Sequence, residues 1–508
     1  MRKEKQLFNY LKCKVMNKKF YWLAGFAALM MTAACSDDNV VNDNPDPTPE
    51  PEVNEYVGEM QMYDAASQAG RVHVYPQTRA LKSERLSLVA KVDVPTEHKD
   101  YNWSATSLYF DADKSLLYAT WHSNMQATTG DVPAVWGGAF DVFSINVNEE
   151  PEAGDITADY FIPEILSFNV AANMKFEHVM RNGNNLFISG TQVKNGGGIA
   201  RVDVSRVGNP SAQILPYEII GFPGSSVNAT AVTGEGKIIA ISGYTGTYGT
   251  FEPNIEAGAY EDEEGNLRKE ISTPRLSSTT WGGKYVTADG KYLLRDGENE
   301  AVIIDAEKAQ NQYKLGYKLL SAERSAEKYE VDENGKFLGW ELVEGTEAQK
   351  YGKHVLVVRN GFAYVAAGWN GLRVHNLNAN GAEVRWQTQD ANSTEQNNGP
   401  YTTGLFADDE YLYAATSQGL RVYTFKEDGG LELFAFEVEN YDDNGAPQRD
   451  EDGNYQPAQT ETEERHSCNF VVANKFRDGY KYIYVAYGKS GIRVYKLNPD
   501  AEETTKPE

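Results

Sequence analysis

The sequence predicts an all-β protein, a seven-bladed β-propeller closed by an N-terminal strand. Helical periodicity is nearly absent, whereas short runs of alternating or β-branched residues are separated by Gly, Asn and Asp. A unit of two strands joined by a Gly-containing turn recurs about every 50 residues, a period typical of propellers. An early strand belongs to no unit, and the last unit has no fourth strand of its own. These observations favour a closed ring of sheets.

The first 34 residues predict an export signal. Lys18 and Lys19 precede a mostly apolar stretch at 20–31, which is too short to span a bilayer, and small residues lead to Cys35. The segment resembles bacterial lipoprotein signals, and this resemblance implies cleavage before Cys35 and fatty acylation of its thiol. Residues 36–38 (Ser-Asp-Asp) resemble a tag of outer-surface lipoproteins, which implies an outer-membrane protein facing the cell exterior. The alternative is an ordinary cleaved signal.

Composition divides the chain into four parts. After the signal at 1–34, residues 35–55 form the lipidated cysteine and an acidic, proline-containing tether that is expected to stay disordered. Residues 56–499 form the predicted propeller, and 500–508 form an acidic tail. Within the propeller, Cys468 is the one cysteine, so no internal disulfide is expected.

The charge of the chain argues against several partners. The net charge is −25, and removal of residues 1–34, which carry seven Lys/Arg and one Glu, changes it to −31. Nucleic acids and anionic membrane surfaces bind basic patches, so neither is an expected partner. Contact with a membrane is expected through the lipid anchor only.

Seven copies of the repeat follow one another along the chain. Three are clear and four are weaker: 361–378, 410–425 and 480–498, then 115–147, 185–205, 237–249 and 291–306. Another strand precedes each pair and a fourth follows most pairs, so each unit has four strands. We expect residues 86–94 to pair with the last blade and complete it. An open stack of sheets or two sandwiches is the competing fold.

The clear copies also point to a family. Residues 364–377 (YVAAGWNGLRVHNL), 413–425 (YAATSQGLRVYTF) and 484–497 (YVAYGKSGIRVYKL) resemble the LVIVD-type repeats of bacterial surface propellers. The likeness is strong in blades five to seven and faint in the first four. The family pattern often has Asp where this chain has Ala367 and Tyr487. The resemblance implies a propeller fold and a surface lipoprotein, and it implies no reaction.

The loops of a propeller divide between its two faces. Connections from the fourth strand to the next blade, and from the second to the third strand, lie on one face. All the long insertions fall there, and we call it the insertion face: 122–138, 244–280, 321–353 and 440–466. The opposite face is predicted to have only short polar turns. Binding residues concentrate on elaborated loops, so a binding site is expected on the insertion face.

Three histidines are candidate ligands at the channel mouth. His178, His354 and His466 each begin the inner strand of a blade on the insertion face. Imidazole is a common zinc or copper donor, so the three side chains are candidates for a metal site. The alternative, favoured because no carboxylate or cysteine lies at a fixed offset from them, is a set of polar residues lining a wet channel.

Four tryptophans near loops of the insertion face are candidates for glycan binding: Trp369, Trp121, Trp136 and Trp281. Exposed aromatic planes stack on the apolar faces of sugar rings. The alternative is that each indole packs between neighbouring blades.

One acidic loop has the oxygen spacing of a calcium site: Asn440, Asp442, Asn444 and Glu451. Asn at the first position, Pro447 within the loop and the lack of flanking helices weaken this match. A similar series at 330–341 is better explained as a hairpin, because 333–336 (Glu-Asn-Gly-Lys) is a strong turn sequence.

Arg373, Arg421 and Arg493 share one register of the third strand. Because the residue recurs in three blades, we expect a repeated structural contact between blades rather than a site.

No local motif of an enzyme is present in the sequence, neither a nucleophile elbow, nor a zinc-protease helix, nor a phosphate loop. Propellers can still host hydrolases and lyases that use scattered loop residues, so these absences leave catalysis open. The expected function is a non-catalytic binding or scaffold module that engages a glycan or an outer-membrane protein. No cofactor is expected other than calcium at the acidic loop. The alternatives are a hydrolase or lyase acting on carbohydrate or peptide with a channel-mouth metal, and a structural or adhesive protein.

Overall fold

A computed structural model of the chain describes most of the predicted propeller. The described residues are 57–61, 70–75, 85–96, 103–123, 137–145, 165–171, 174–192, 196–207, 214–222, 226–243, 246–256, 282–297, 300–308, 311–319, 322–324, 327–331, 337–342, 349–351, 353–368, 370–379, 384–387, 401–438, 440–443, 445–448, 450–452, 468–476 and 479–501. The predicted signal, Cys35, the tether and most of the acidic tail lie outside them.

Three strands precede the first blade: β1 (Val57–Gln61), β2 (Val72–Val74) and β3 (Leu86–Val92). The next fifteen strands form four blades. Blade 1 contains β4–β7 (Ser104–Asp111, Leu116–His122, Gly138–Ser144, Ile165–Ala171). Blade 2 contains β8–β11 (Met174–Asn182, Asn185–Gln192, Gly196–Asp203, Ile214–Phe222). Blade 3 contains β12–β14 (Val227–Val232, Ile238–Ser242, Tyr248–Phe251). Blade 4 contains β15–β18 (Gly283–Val286, Tyr292–Arg295, Val302–Asp305, Gln312–Lys314).

Four short strands then separate blade 4 from the last three blades. They are β19–β22 (Ala322–Arg324, Glu327–Val331, Phe337–Leu342, Gln349–Tyr351). Blade 5 contains β23–β26 (Leu356–Arg359, Phe362–Ala366, Leu372–Asn376, Val384–Gln387), with a 3-10 turn at Leu377–Ala379. Blade 6 contains β27–β30 (Thr402–Ala407, Tyr411–Thr416, Gly419–Phe425, Leu431–Phe436). Blade 7 contains β31–β33 (Phe470–Lys475, Lys481–Ala486, Ile492–Leu497).

Within each blade, neighbouring strands in sequence pair antiparallel, which confirms the predicted seven-bladed propeller. The second strands are buried on both sides, because each blade packs between two others. All six residues of β28 and all six of β32 are buried. This is why these strands read as almost continuous apolar runs rather than as alternating ones.

The N-terminal strand closes the ring as predicted. Strand β3 pairs antiparallel with β33, from Leu86 opposite Leu497 to Val92 opposite Ile492. Strand β2 then pairs with β3 and gives blade 7 a fifth strand. The closing sheet therefore combines strands from both ends of the described chain.

A buried ion pair holds this N-terminal segment against blade 1. The Arg71 guanidinium donates to both carboxylate oxygens of Asp141, at 3.2 and 2.7 Å, and both side chains are about 1% exposed. Its Nε also donates to the Asp93 carbonyl at 3.0 Å. Strand β1 is not predicted from the sequence, and it pairs with β11 as a fifth strand of blade 2.

The connections between strands follow the predicted division of faces with one exception. Strands β20 and β21 pair antiparallel around residues 332–336, which confirms the predicted hairpin in the insertion between blades 4 and 5. The expectation that the opposite face has only short turns is wrong for blade 1. There, residues 145–164 connect the third strand to the fourth, and such a connection lies on the opposite face.

The glycine of the repeat has a structural role between blades. Gly368 and Gly488 have φ angles of 63° and 59°, which favour glycine. The Gly368 amide donates to the Thr402 carbonyl at 3.0 Å, and Thr402 donates back at 3.1 Å. The Gly488 carbonyl accepts from the Ala105 amide at 2.9 Å. Each glycine therefore links its blade to the inner strand of the next one.

Candidate functional site

The inner strands share a bulge near their first residues, at the insertion face. In five blades the pairing register shifts by one residue, at Thr106, Glu177, Asn228, Lys284 and Thr403. A bulged residue is unpaired in the ladder, and the bulge redirects its side chain.

His354 and Asn469 occupy the same position in blades 5 and 7. The residue after His354 accepts from the Ala366 amide, and the residue after Asn469 lies opposite Ala486. One polar or charged residue per blade therefore surrounds the axis. We call this set the mouth ring: Thr106, Glu177, Asn228, Lys284, His354, Thr403 and Asn469.

Four members of the mouth ring bind the next blade in the same way. Each side chain donates to the main-chain carbonyl of the residue that precedes the next ring member. The donor and acceptor pairs are Thr106 to Phe176 (3.2 Å), Asn228 to Gly283 (2.8 Å), Thr403 to Cys468, and Asn469 to Ala105 (2.6 Å). These hydrogen bonds stabilise the contacts between neighbouring inner strands.

Glu177 departs from this pattern because a carboxylate cannot donate. Its Oε1 lies 3.2 Å from the Lys175 ammonium and 3.4 Å from Nδ1 of His122. Burial alone would raise the pKa of Glu177, but Lys175, His122 and Lys353 outweigh this effect and hold the pKa well below its usual range. Burial, together with Lys175, lowers the pKa of His122 to about 4, so the imidazole is neutral at pH 7.

Lys353, which precedes ring member His354, reaches across the axis from blade 5. Its ammonium donates to the Thr106 carbonyl of blade 1 and to the Glu177 carbonyl of blade 2. Burial lowers the pKa of Lys353 to about 8, and Glu177 opposes that shift. Lys353 therefore links three inner strands across the channel mouth.

Lys284 differs from the other cations of the mouth. Its ammonium makes no hydrogen bond or ion pair with any residue in the described part of the chain. Burial lowers its pKa, and the charge of Asp296 opposes this shift. The Asp296 carboxylate itself accepts from the amides of Gly297 at 3.2 Å and Leu319 at 3.4 Å.

Aromatic rings fill the channel beside the mouth ring. The His178 imidazole meets the rings of Tyr285 and Phe470 edge-on, with centroids 5.6 and 5.7 Å apart. These three rings come from the inner strands of blades 2, 4 and 7. At this depth the channel is packed.

The two described histidines have structural surroundings. Nδ1 of His178 lies 3.5 Å from the Thr230 amide, and Nδ1 of His354 lies 2.9 Å from the Ala366 carbonyl. Burial lowers both pKa values to about 3, so both rings are neutral at pH 7. The two histidines also differ in register, because His354 is a ring member and His178 follows one. No group of three or more His, Cys, Asp or Glu side chains among the described residues is arranged to hold a metal, and His466 lies outside them.

Trp121 is part of the core rather than a surface for stacking. Its side chain has no exposed area, and its Nε1 donates to Asp141 at 2.8 Å. The Arg71 guanidinium lies 5.4 Å from its ring centroid. Trp136, Trp281 and Trp369 lie outside the described residues, so their role as glycan contacts stays a prediction.

The acidic loop folds as a small hairpin attached to the closing strand. Asp442 Oδ1 accepts from the Ala446 amide at 2.9 Å, and the Gly445 carbonyl accepts from the Leu88 amide at 3.0 Å. Asp442 therefore has a structural use within the turn. Asn440 and Glu451 are described and Asn444 is not, and the calcium site stays a prediction.

The three repeated arginines do not make one common contact. Arg493 pairs with Glu437 of the preceding blade at 2.7 Å, with both side chains buried. The Arg373 guanidinium stacks 4.1 Å from the ring centroid of Tyr317, also in the preceding blade. Arg421 donates to a residue of its own blade, Gln418. Two of the three thus match the expected contact between blades.

A cleft on the opposite face lies between blades 5 and 6. Its volume is about 330 Å³, and Arg359, Asp409 and Phe425 are among the residues that line it. The Arg359 guanidinium donates to the Asp409 carbonyl at 2.8 Å and lies 4.2 Å from the Phe425 ring centroid. Arg359 thus has structural partners, unlike Lys284.

The sequence predicted a site at the channel mouth, but it did not predict the mouth ring of equivalent residues. His354 is the one ring member among the predicted site residues. Of the others, Asn469 lies just before its inner strand and the rest lie near the beginning of theirs, and only the register of the sheets shows that these positions are equivalent. A polar residue at the start of every inner strand is the signal available in the sequence.

No helix among the described residues combines the length and apolar character needed to cross a bilayer. A comparison with protein-family models found no match, and neither did a comparison with curated proteins.

Solved structures show distant likeness. The computationally designed Ika8 protein is 9% identical, with a TM-score of 0.36, over 78% of this chain and 98% of its own. Sqt1 of Chaetomium thermophilum is 12% identical, with a TM-score of 0.40, over 79% of this chain and 96% of its own. The same protein bound to the N-terminus of ribosomal protein L10 is 10% identical, with a TM-score of 0.39, over 77% and 87%. Likenesses this distant carry no argument, so the strand pairing itself assigns this chain to the seven-bladed β-propellers.

Proposed function

We propose that this protein is a surface-anchored lipoprotein whose propeller is a non-catalytic binding module for a glycan or a protein partner. The ligand is expected at the insertion face. The observation that supports this most is the packed channel: Lys353 crosses the axis, and His178, Tyr285 and Phe470 fill the space beside it. A ligand therefore meets the mouth and the loops around it rather than a deep cavity.

The attachment of the N-terminal segment supports the lipoprotein part of the proposal. The predicted tether ends where the described chain begins, and β1 and β2 add to the outer edges of blades 2 and 7. Arg71 then fixes the segment through Asp141. The described propeller therefore begins with strands that are paired to blades 2 and 7, directly after the segment proposed as the tether.

The surroundings of the two described histidines favour binding over metal catalysis. A metal enzyme at the channel mouth requires imidazole nitrogens that converge on one point. His178 instead packs against two aromatic rings, and Nδ1 of His354 faces a carbonyl of its own blade.

Lipid attachment is tested by labelling cells with a palmitate analogue. We expect label in the wild-type protein, none in Cys35→Ser, and release of the variant from the membrane fraction. A labelled, membrane-bound Cys35→Ser protein would contradict the anchor.

Binding is tested with the detergent-solubilised full protein on glycan arrays and in pull-downs of outer-membrane proteins. We expect a saturable ligand and no chemical change in it, as shown by mass spectrometry. Turnover of the ligand, with metal in the purified protein, would overturn the non-catalytic proposal.

A further inference from the structure

We propose that the mouth of the channel binds an oxyanion, a carboxylate or sulfate group of the ligand, and that Lys284 is its main contact. This inference rests on the proposed binding function for the identity of the ligand. The anion site itself can be tested without that ligand.

The first argument is the departure of Lys284 from the pattern of the ring. Four ring members donate to a carbonyl of the next blade, as Asn228 does to Gly283 at 2.8 Å. Lys284 holds the same backbone position but donates to no described residue. Lys284 is half-buried, and its Nζ is not among the solvent-inaccessible polar atoms without a partner, so the ammonium can be reached from outside the protein. A cation that is accessible and is not used by the described residues is free to bind an anion from solution.

The second argument is the balance of charge at the mouth. Lys175 pairs with Glu177, and Lys353 is held by two main-chain carbonyls. Asp296, the acid that influences Lys284, is bound by two backbone amides and makes no ion pair with it within the described part. Lys284 is thus a cation that no carboxylate of the described residues pairs with, although the net charge of the whole chain is −25.

Two buried histidines at the mouth, His178 and His354, lie close enough to Lys353 and Lys284 to be influenced by their positive charges. Burial is the main cause of the lowered pKa of both histidines, and the charges of Lys284 near His354 and of Lys353 near His178 add to it. Lys284 and Lys353 thus each place a positive charge close to one of these neutral imidazoles. Anions are attracted to such a region in an otherwise acidic protein.

The third argument is the rigidity of the backbone that presents Lys284. Asn228 fixes the carbonyl of Gly283, and a Cβ at Gly283 would lie 2.2 Å from Ile241 and 2.6 Å from the Ser242 carbonyl. A Cβ at Gly282 would lie 2.0 Å from the Gly243 carbonyl. Close packing therefore fixes the backbone from which the Lys284 side chain extends at the channel mouth.

The test uses equilibrium dialysis of the detergent-solubilised full protein against radiolabelled sulfate and acetate. We expect saturable binding to the wild type and a loss of about 10- to 100-fold in affinity in Lys284→Asn, since a charge-assisted hydrogen bond is removed. Lys284→Arg is expected to retain binding. The matched control is Lys291→Asn, an exposed lysine in the turn of the same blade on the opposite face, which is expected to bind as the wild type does.

Two results would overturn the anion site. One is the absence of saturable sulfate and acetate binding to the wild type. The other is equal affinity in the wild type and Lys284→Asn, which would place the anion elsewhere.

The source of the oxyanion is identified by competition. An oligogalacturonide that displaces sulfate, while a neutral oligosaccharide of the same length does not, would support a glycan carboxylate. Displacement by an acidic peptide alone would support a protein ligand. If sulfate binds through Lys284 but no ligand is found in the arrays or pull-downs, the anion site stands and the proposed function fails.

Discussion

The mouth ring contains two sets of residues that share one backbone position and differ in what they do. Thr106, Asn228, Thr403 and Asn469 each donate to the next blade. The side chains of Glu177 and Lys284 do not follow this pattern among the described residues. The comparison shows that at least four ring positions stabilise the contacts between neighbouring blades, whereas the side chains of Glu177 and Lys284 are not used for such a contact with the next blade in the described part of the chain.

We call the four donors of the mouth ring the donor set, and the contact between blades 7 and 1, where the ring closes, the seam. Two members of the donor set lie at the seam, Asn469 in blade 7 and Thr106 in blade 1. Asn469 of blade 7 donates to Ala105 of blade 1, beside the bridge that joins Ala105 to Gly488. Arg71 adds the buried pair with Asp141 at the same seam. Closure thus relies on several contacts, and their removal is expected to cost more than changes in the ionisable set.

The largest effect is expected from Arg71→Leu. This change leaves the Asp141 carboxylate buried without its cation, which costs about 3–5 kcal/mol of unfolding free energy. Urea denaturation followed by far-UV circular dichroism measures the loss. Arg206→Leu is the control, because Arg206 is exposed and the expected change is within about 0.5 kcal/mol. Equal midpoints for the two variants would show that the seam does not depend on this ion pair.

A smaller loss is expected from Thr106→Val, which nearly preserves the shape of a donor-set residue. The Thr106 hydroxyl lies within hydrogen-bond distance of the carbonyls of Thr120 and Phe176. Its removal leaves buried acceptors with fewer donors and costs about 1–3 kcal/mol. Thr424→Val, at a less buried position on β29, is the matched control in the same denaturation experiment. A Thr106→Val protein as stable as the wild type would contradict the structural role of the donor set.

The sequence predicted the features of the fold that depend on local pattern. The repeated strand pairs predicted the number of blades. The unassigned strand at 86–94 predicted the closure, because pairing it with the last blade leaves no edge strand with unpaired backbone N–H and C=O groups. The fifth strand at Val57–Gln61 was missed, since a short mixed sequence far from its partner β11 carries no local signal of pairing.

The site was only partly predictable for a similar reason. The position of a bulge depends on how two strands are aligned, and a shift of one residue changes which side chain faces the mouth. His354 was recognised, whereas Lys284 and Glu177 were not, because nothing in their local sequence distinguishes a ring member from a surface residue. Trp121 was placed near the surface from its proximity to a loop, but its partners Asp141 and Arg71 are distant in sequence.

A gain in stability is expected from Lys284→Asn, which converts an ionisable position into a donor. By the pattern of the ring, the introduced amide side chain donates to the carbonyl of Lys353, and a half-buried charge is removed. The expected gain is about 0.5–1.5 kcal/mol, the usual net contribution of one hydrogen bond. Thermal or urea unfolding measures it, with Lys291→Asn as the control. A loss of stability in Lys284→Asn alone would show that Lys284 itself supports the fold.

The smallest effect is a pH dependence of stability that comes from Lys353. This residue is not a member of the mouth ring, but its ammonium binds two of the inner strands that carry the ring. Its pKa is about 8 in the folded protein and about 10.4 in an unfolded chain, so between these values the unfolded chain binds more protons. The contribution of Lys353 to stability therefore rises with pH from about 8 to about 10, by a few tenths to about 1 kcal/mol after solvent screening.

Urea unfolding of the wild type and Lys353→Met at intervals between pH 7 and pH 10 measures this contribution. The buried tyrosines titrate in both proteins, so their effect cancels in the difference between the two curves. We expect the wild type to gain stability relative to Lys353→Met as the pH rises above 8, on top of a constant offset from the lost hydrogen bonds to Thr106 and Glu177. A flat or falling difference would show that the Lys353 ammonium is not held in a desolvated position across the channel, and that the mouth is open to water at that point.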